Sequence, residues 1–336
     1  MTTLRDVARH AGVSIGSVST VLNNTAPVSP ALRAKVLKAV EELRYVPDAV
    51  ARSLKTGRSR TIGLIVPDIT NPHFSAVASA IEIACDARGY ALLLCNTTDS
   101  PAKELRDLHL MRRQRVDGVI LVPSGSGEAY VAELSRAATM PVVLIDRTLG
   151  GFDADAVVLD NRAASYGIVD YLVRAGHRRI GIVTGPSSMS IAEERLAGYR
   201  QALAEHAIDY HDDLVARGAY QPEPDYRATT MLLARRPRPT AIVSTSNHTM
   251  IGVMKALSDQ GFRCPEDISV ASIDDVVWAT AFSPKMTVMA QPIVEMTELA
   301  AERLFGRLAG AIAGPGTVLV AQPALKVRES SRPLTD

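Results

Sequence analysis

The chain has 336 residues, 47% of them apolar, with 37 Lys and Arg against 36 Asp and Glu. That length points to two or three units with sizeable cores rather than one small domain. A formal net charge of +1 excludes a chain that is basic throughout, and the longest apolar runs, Ala91–Cys95 and Val119–Pro123, fall far short of the ~20 residues of a membrane span. The first residues, MTTLRDVARH, contain no apolar stretch or small-residue cleavage site. Cys85, Cys95 and Cys264 form no CxxC pair. A reduced, cytoplasmic setting is therefore expected.

The charge is unevenly spread. Residues 1–60 hold ten Lys and Arg against four acids, or +6, which leaves −5 for the remainder. A basic head on a mildly acidic body fits a polyanion partner, and it equally fits an ordinary solvated helical segment. Within the head, Thr3-Leu-Arg-Asp6 reads as a capping box that opens a short helix ended by Gly12. Ser14 caps a second helix from about Ile15 to Leu22, with Val18, Val21 and Leu22 turned toward the first. Two short helices joined by a Gly-containing turn form the helix-turn-helix layout, although unrelated helical hairpins share it. A third helix starts at Ser29-Pro30 and runs to about Leu43, with Leu32, Val36, Leu37, Val40 and Leu43 as its buried stripe. Residues Pro47–Thr56 allow a further short helix, Asp48 to Leu54, too short to be stable unpacked.

Beyond residue 60, β-branched runs alternate with helical segments. The first succession is a strand at 61–69, a helix at 73–89, a strand at 90–97, a helix at 103–114, a strand at 116–123, a helix near Glu128–Ala138 and a strand at 141–146. A second begins with a helix near Ala163, then a strand at 179–185, helices at 195–206 and 226–234, a strand at 240–246, a helix at 250–261 and a strand at 268–274. This alternation implies parallel sheets with right-handed crossovers, hence two α/β lobes flanking a cleft. Ligands of such sheets lie beyond the strands' carboxyl ends. The strand-end residues are Asp68–Phe74, Asp146-Arg147, Ser187–Ile191, Tyr220, Ser246–His248 and Asp274–Trp278, a mixture of hydrogen-bonding groups and flat apolar faces that suits a sugar. Arg147 has a plainer use as a partner for Asp146 or Asp160, Arg195 as a partner for Glu193 or Glu194, and Trp278 as core. His109, His177, His206 and His211 read as surface or helix-end residues.

Taken together, TLRDVARHAGVSIGSVSTVLNN, the following VSPALRAKVLKAVEELRYVPDAVARSLKTGRSRTIGLIVPDITNPHF, and the blocks PVVLIDR, DNRAASYGIVDYLVRAGHRRIGIVTGP, RLAGY, AIVSTSNHTMIG, ISVASIDD and LKVRESS resemble the LacI/GalR (lactose-repressor) family of bacterial transcription regulators over nearly the whole chain. The resemblance implies an all-α helix-turn-helix head at 1–46 and a hinge helix and linker at 47–60. It further implies a body like periplasmic sugar-binding proteins, with one lobe from 61–161 plus 291–322 and the other from 162–290 plus 323–336. It places Thr3, Ser14, Ile15, Gly16, Ser17, Ser19, Thr20 and Asn23 at the DNA, with Arg52, Leu54 and Lys55 in the hinge, Leu54 as a minor-groove wedge. It assigns effector contacts to His73, Phe74, Arg147, Arg195, Tyr220, Asn247 and Asp274, with Trp278 close by.

Two departures matter. The family commonly has a long polar or basic side chain where this sequence has Thr20, and polar residues where it has Ile15 and Gly16, so no side chain at these positions can make a bidentate base contact. Asn247 stands where many members have Asp, which lowers the acidity of the pocket. The expectation is a homodimeric repressor on a palindromic operator, controlled by a sugar or sugar acid, with no cofactor, metal or membrane. Other readings are a soluble sugar-binding protein without a regulatory role and a nucleoside- or purine-responsive regulator. Catalytic signatures (HExxH, P-loop, GxSxG, zinc-type spacing) are absent from the sequence, so no enzyme is expected. Leu54→Ala should cost roughly 1–3 kcal/mol of operator affinity and leave non-specific binding nearly unchanged. Competition binding at fixed salt checks this, and an equal loss on both DNAs counts against the wedge.

Overall fold

The computed structural model describes residues 2–23, 26–45, 58–281 and 283–334, apart from the side chain of Asn23. The expected hinge helix, with Arg52, Leu54 and Lys55, lies outside the described residues. The chain divides into two compact units, Met1–Ser59 and Arg60–Asp336.

The first unit holds α1 (Leu4–Ala11), α2 (Ile15–Asn23) and α3 (Pro30–Glu42). The Thr3 hydroxyl accepts from the Asp6 amide, and the Asp6 carboxylate accepts from the Thr3 amide and hydroxyl, which satisfies first-turn groups that a helix leaves orphaned. Gly12 stops α1 at φ 58°, a conformation that glycine adopts without steric cost. Ser14 and Ser29 accept from the first-turn amides of α2 and α3. Val7, Ala8, Ala11, Val18, Val21, Val36 and Ala39 close a common core, and His10 Nε2 meets Glu42 Oε2 at 2.6 Å to tie α1 to α3. Leu37 does not join the stripe expected of it and is 48% exposed. Val36, Ala39, Val40 and Leu43 already complete one helical face, and position 37 sits ~100° around from position 36.

The second unit contains two six-stranded sheets. In the first, β1 (Thr61–Val66), β2 (Ala91–Asn96), β3 (Gly118–Leu121), β4 (Val142–Ile145), β5 (Asp155–Leu159) and β11 (Val318–Ala321) run in the order β11-β5-β4-β3-β1-β2, every pairing parallel. Its faces are covered by α4 (Pro72–Asp86) with α11 (Ile293–Leu308) on one side, and by α5 (Pro101–Arg113) with α6 (Glu128–Ala137) on the other. Ile62, Leu64 and Val66 pack toward α4 and α11 while Ile65 packs toward α5 and α6, the alternation of a strand buried on both faces.

The second sheet uses β6 (Ile180–Thr184), β7 (Val215–Arg217), β8 (Ala241–Ser244), β9 (Ser269–Ile273), β10 (Thr287–Ala290) and β12 (Ala324–Lys326) in the order β12-β10-β9-β8-β6-β7, with only β12 antiparallel. It lies between α7 (Asn161–Arg174) with α8 (Ser190–Glu205) and α9 (Pro222–Leu233) with α10 (Asn247–Asp259). The chain passes from the first sheet to the second after β5, returns after β10, and passes again after β11.

Several helices begin earlier than their apolar periodicity indicates, at Pro72, Pro101 and Pro222, because proline's fixed φ and missing N–H suit the first helical position. Strands β5, β7, β10, β11 and β12 and helix α11 lie outside the alternation expected from the sequence. Runs of three to five residues such as β5, β7 and β10 are too short to display a period. His177 corrects an expectation: it is buried, with Nδ1 2.9 Å from Thr240 Oγ1 and Nε2 3.1 Å from the Arg332 carbonyl. Burial holds its pKa below the ordinary imidazole value, so it serves as a neutral pin for the C-terminal segment.

At the α7–α8 crossing a Cβ on Gly198 would lie 2.1 Å from the Arg162 carbonyl oxygen and 2.9 Å from the Tyr166 amide nitrogen. Neither backbone group can retreat cheaply. Gly198→Ala should therefore destabilise the body by about 3 kcal/mol, read as a drop in chemical-denaturation midpoint, and an unchanged midpoint would show that the two helices are free to separate.

Candidate functional site

The carboxyl ends of the strands carry a connected set of buried polar side chains. After β4, Asp146 takes φ 70° and after β9 Asp274 takes φ 83°, left-handed turns at the strand ends. His73, at the start of α4, places Nε2 3.2 Å from Asp146 Oδ1. Both groups are buried. Burial opposes the charged imidazolium, but the Asp146 hydrogen bond and charge prevail and raise the His73 pKa. Asp146 is likewise opposed by burial and yet held below the ordinary carboxylate range by His73 and then by Arg147. Arg147 donates from Nη1 to Asp99 Oδ1 at 2.9 Å and to the Pro123 carbonyl at 3.1 Å, while its Nε stands 3.6 Å from Asp146. Asp160, weighed as its partner, instead caps α7 through the Ala163 amide.

Arg195, on α8, is buried and donates from Nε to Asn161 Oδ1 at 2.8 Å and from Nη1 to the Thr245 carbonyl. It does not use Glu193 or Glu194: Glu193 pairs with Arg217, and Glu194 accepts from Asn161 Nδ2. Asp274 accepts from the Asn247 amide at 3.0 Å and from Gln291 Nε2 at 2.6 Å. Asn247 Nδ2 donates to Asn71 Oδ1 at 2.7 Å, the oxygen that also caps α4 through the His73 amide. That bond joins residues that follow strands of different sheets.

Among the described residues, the buried side-chain atoms without a protein partner include His73 Nδ1, Arg147 Nε, Tyr220 Oη, Asn247 Oδ1 and Gln291 Oε1, besides others away from this set. A buried polar atom left unsatisfied costs free energy, so each is a natural partner for a ligand group. Phe74 belongs to the core beneath α4, edge-on to the His73 ring at 4.9 Å. Trp278 is half-buried against the core around Val276 and Met286. Sequence reasoning, where they stood only as bounds of the lobes, missed Gln291 and Asn161 as members of this set. Their signal was an amide residue directly after a strand.

In the head, Ser14 is engaged with Ser17 (Oγ to Oγ 2.9 Å, and the Ser17 amide to Ser14 Oγ 3.0 Å), and Thr3 is occupied by its cap. Ile15 is 44% exposed, Gly16 is exposed, and Ser17, Ser19 and Thr20 are half-buried. A small, largely uncharged surface thus forms the outer side of α2. Among the described residues no cluster of His, Cys, Asp or Glu is arranged to hold a metal ion, and no helix is long and apolar enough to cross a membrane.

Residues 3–48 match the family model for bacterial regulatory proteins of the lacI family, and residues 169–331 that for a periplasmic binding protein-like domain. The chain is 35% identical over 331 residues to a ribose operon repressor of Haemophilus influenzae, covering 98% of each chain. It is 36% identical over 308 residues to the transcriptional repressor PurR of Vibrio atlanticus, covering 92% of each. The chain belongs to the LacI family. Among solved structures it resembles the Lac repressor dimer bound to operator and the anti-inducer ONPF, with 26% identity, a TM-score of 0.86 and coverage of 98% and 99%. It is a DNA-binding transcriptional repressor with a ligand-binding domain, as its LacI-family relatives are.

Beneath Arg147 lies one further buried carboxyl. Glu104 accepts from the Ser124 amide at 2.6 Å and from Tyr130 Oη, fixing the loop whose Pro123 carbonyl receives Arg147. Burial pushes its pKa up to about 7. A carboxyl with a raised folded-state pKa contributes stability below its unfolded value, near 4.5, and loses it as pH rises through about 7. Glu104→Gln should match wild type at pH 4.5 and exceed it at pH 8 by on the order of 2–3 kcal/mol. Parallel denaturation curves at the two pH values decide this, and equal offsets at both would remove Glu104 as the titrating group.

Proposed function

We propose that this LacI-family repressor binds a palindromic operator as a homodimer and is controlled by a small neutral sugar of the pentose class, held between a lobe of residues 61–161 plus 291–322 and a lobe of residues 162–290 plus 323–336. The observation that carries the reading is the set of unpartnered buried atoms on His73, Tyr220, Asn247 and Gln291, beside the side-chain bond from Asn247 to Asn71 that links residues following strands of the two sheets. The charges in this set already compensate one another: His73 with Asp146, and Arg147 with Asp99 and Asp146. A ligand that brings its own charge would unbalance them, whereas hydroxyls satisfy donors and acceptors alike. The relative named for the ribose operon points to the same class. Arg195 and Asp274 serve as the polar clamp, with Phe74, Tyr220 and Trp278 as the apolar walls.

In the head, the proposed readers are Ile15, Gly16 and Thr20, with Thr3, Ser14, Ser17, Ser19 and Asn23 at phosphates. Ile15 offers an apolar contact to a thymine methyl and Thr20 a single hydrogen bond. Arg52, Leu54 and Lys55 extend the contact into the minor groove. The effector favours one relative orientation of the lobes and so permits or forbids pairing of the two hinges, which couples effector and operator affinities reciprocally. The repressor works in the cytoplasm, on the nucleoid when operator-bound.

Arg195→Ala and Asp274→Ala should keep operator affinity within about threefold and weaken ribose by tenfold or more, since hydrogen bonds to charged groups contribute about 1.5–3 kcal/mol. Fluorescence anisotropy on operator DNA with and without ribose reads both quantities. A thermal-shift comparison of ribose, a sugar acid and hypoxanthine tests the class directly, because a ligand that binds the folded state raises its melting temperature. A shift with hypoxanthine alone overturns the sugar reading, and unchanged ribose response in both variants overturns the site.

A further inference from the structure

Asp225 lies on α9, outside the polar set of the cleft, and is fully buried. Its carboxylate accepts from the Ala219 amide at 2.8 Å, from the Tyr220 amide, and through Oδ2 from Thr249 Oγ1 at 2.8 Å. No cation pairs with it among the described residues. A buried carboxylate without a counterion is costly and stands only where several donors hold it. The three donors here come from two places. Two belong to the loop that presents Tyr220, and the third belongs to the first turn of α10, two residues from Asn247.

The loop needs such an anchor. Tyr220 takes φ 55°, in the left-handed region that a residue with a side chain rarely adopts. Its ring packs against Gly185, where a Cβ would come within 2.3 Å of it, and its buried hydroxyl has no protein partner. Gly218 is shaped to the same contact, since a Cβ there would fall 1.7 Å from Asp225 Oδ1. Against α10 the helix backbones touch, with a Cβ on Gly252 falling 2.7 Å from the Tyr226 amide nitrogen. The carboxylate therefore fills a space that admits no substitute geometry.

The geometry points to Asp225 as a positioning residue for the effector site: it locks Tyr220 in its left-handed conformation over the cleft and holds that loop in register with the start of α10, where Asn247 sits. It touches no ligand itself. For its binding arm this inference rests on the effector reading above, and the exchange arm is independent of it.

The test is hydrogen–deuterium exchange on the full chain without ligand, paired with calorimetric titration of ribose. Asp225→Ala should speed exchange of the Ala219 and Tyr220 amides at least tenfold while leaving β1 and β6 unchanged. Asp225→Asn, whose carbonyl oxygen still accepts from the loop, should stay within about threefold of wild type. Gly218→Ala displaces the carboxylate without altering α9, and it should reproduce the loop exchange if Asp225→Ala does not fold. For ribose, Asp225→Ala should weaken binding at least tenfold, and the double variant Asp225→Ala, Tyr220→Ala should be no weaker than Tyr220→Ala alone. A merely structural role would give losses that add. Unchanged loop exchange in both Asp225→Ala and Gly218→Ala, or additive losses in the cycle, overturns the inference. If wild type binds no ribose, the pentose reading falls and the exchange result alone decides the role of Asp225.

Discussion

A carboxylate buried at the end of a parallel strand is the constraint around which the ligand-binding body is arranged. Asp274 follows β9 in a left-handed turn and receives one hydrogen bond from the first residue of α10 and another from Gln291, where the chain returns toward the first sheet. A carboxyl group buried in that position is tolerated only with its hydrogen-bond donors in place. The N-terminus of α10 adds the favourable end of the helix dipole. One side chain thereby fixes the start of a helix, the end of a strand and a crossing of the chain. Asn247, set by that contact, reaches Asn71 and through it the cap of α4.

The same logic recurs wherever charge is buried in this molecule. Asp155, on β5, is buried against Arg303 and Arg307 of α11 and receives the Thr317 amide, and those donors overcome burial to bring its pKa to about 2. It joins a central strand to the helix that returns from the second sheet. Glu104 and Asp225 each anchor a loop bearing a cleft residue, neither forms an ion pair among the described residues, and burial raises their pKa values. Asp155 and Asp274 hold the crossings, while Glu104 and Asp225 hold the loops. Asp155, Glu104 and Asp225 thus support the cleft from beneath, while Asp274 also belongs to the polar set at the strand ends.

Much of this organisation is legible in the residues. The head is written in local chemistry: a capping box at Thr3 and Asp6, a left-handed Gly12 and a Ser29-Pro30 start need no distant partner to act. The alternation of β-branched runs with helical periods specifies parallel sheets, because a parallel pair requires a crossover. Leu37 was misassigned because apolarity alone does not say which face closes first. His177 was misassigned because its partners, Thr240 and the Arg332 carbonyl, are brought to it only by the fold. The site residues at strand ends were visible as types, but their pairings were not. Arg195 turned from the neighbouring Glu193 and Glu194 to Asn161 and the Thr245 carbonyl, both far away in sequence.

What the sequence by itself determined is the division of charge and the kind of element formed by the segments that carry a clear cap or apolar period. A +6 head and a −5 remainder are arithmetic, and caps, prolines and apolar periods act over a few residues. The tertiary structure alone decided which polar groups become buried and which of their atoms remain without partners. Burial is a property of several segments meeting at once, and the cost of leaving a buried atom unsatisfied exists only after they have met. Gln291, Asn161 and Asp225 look unremarkable in sequence for that reason, and the fold makes them the framework of the cleft.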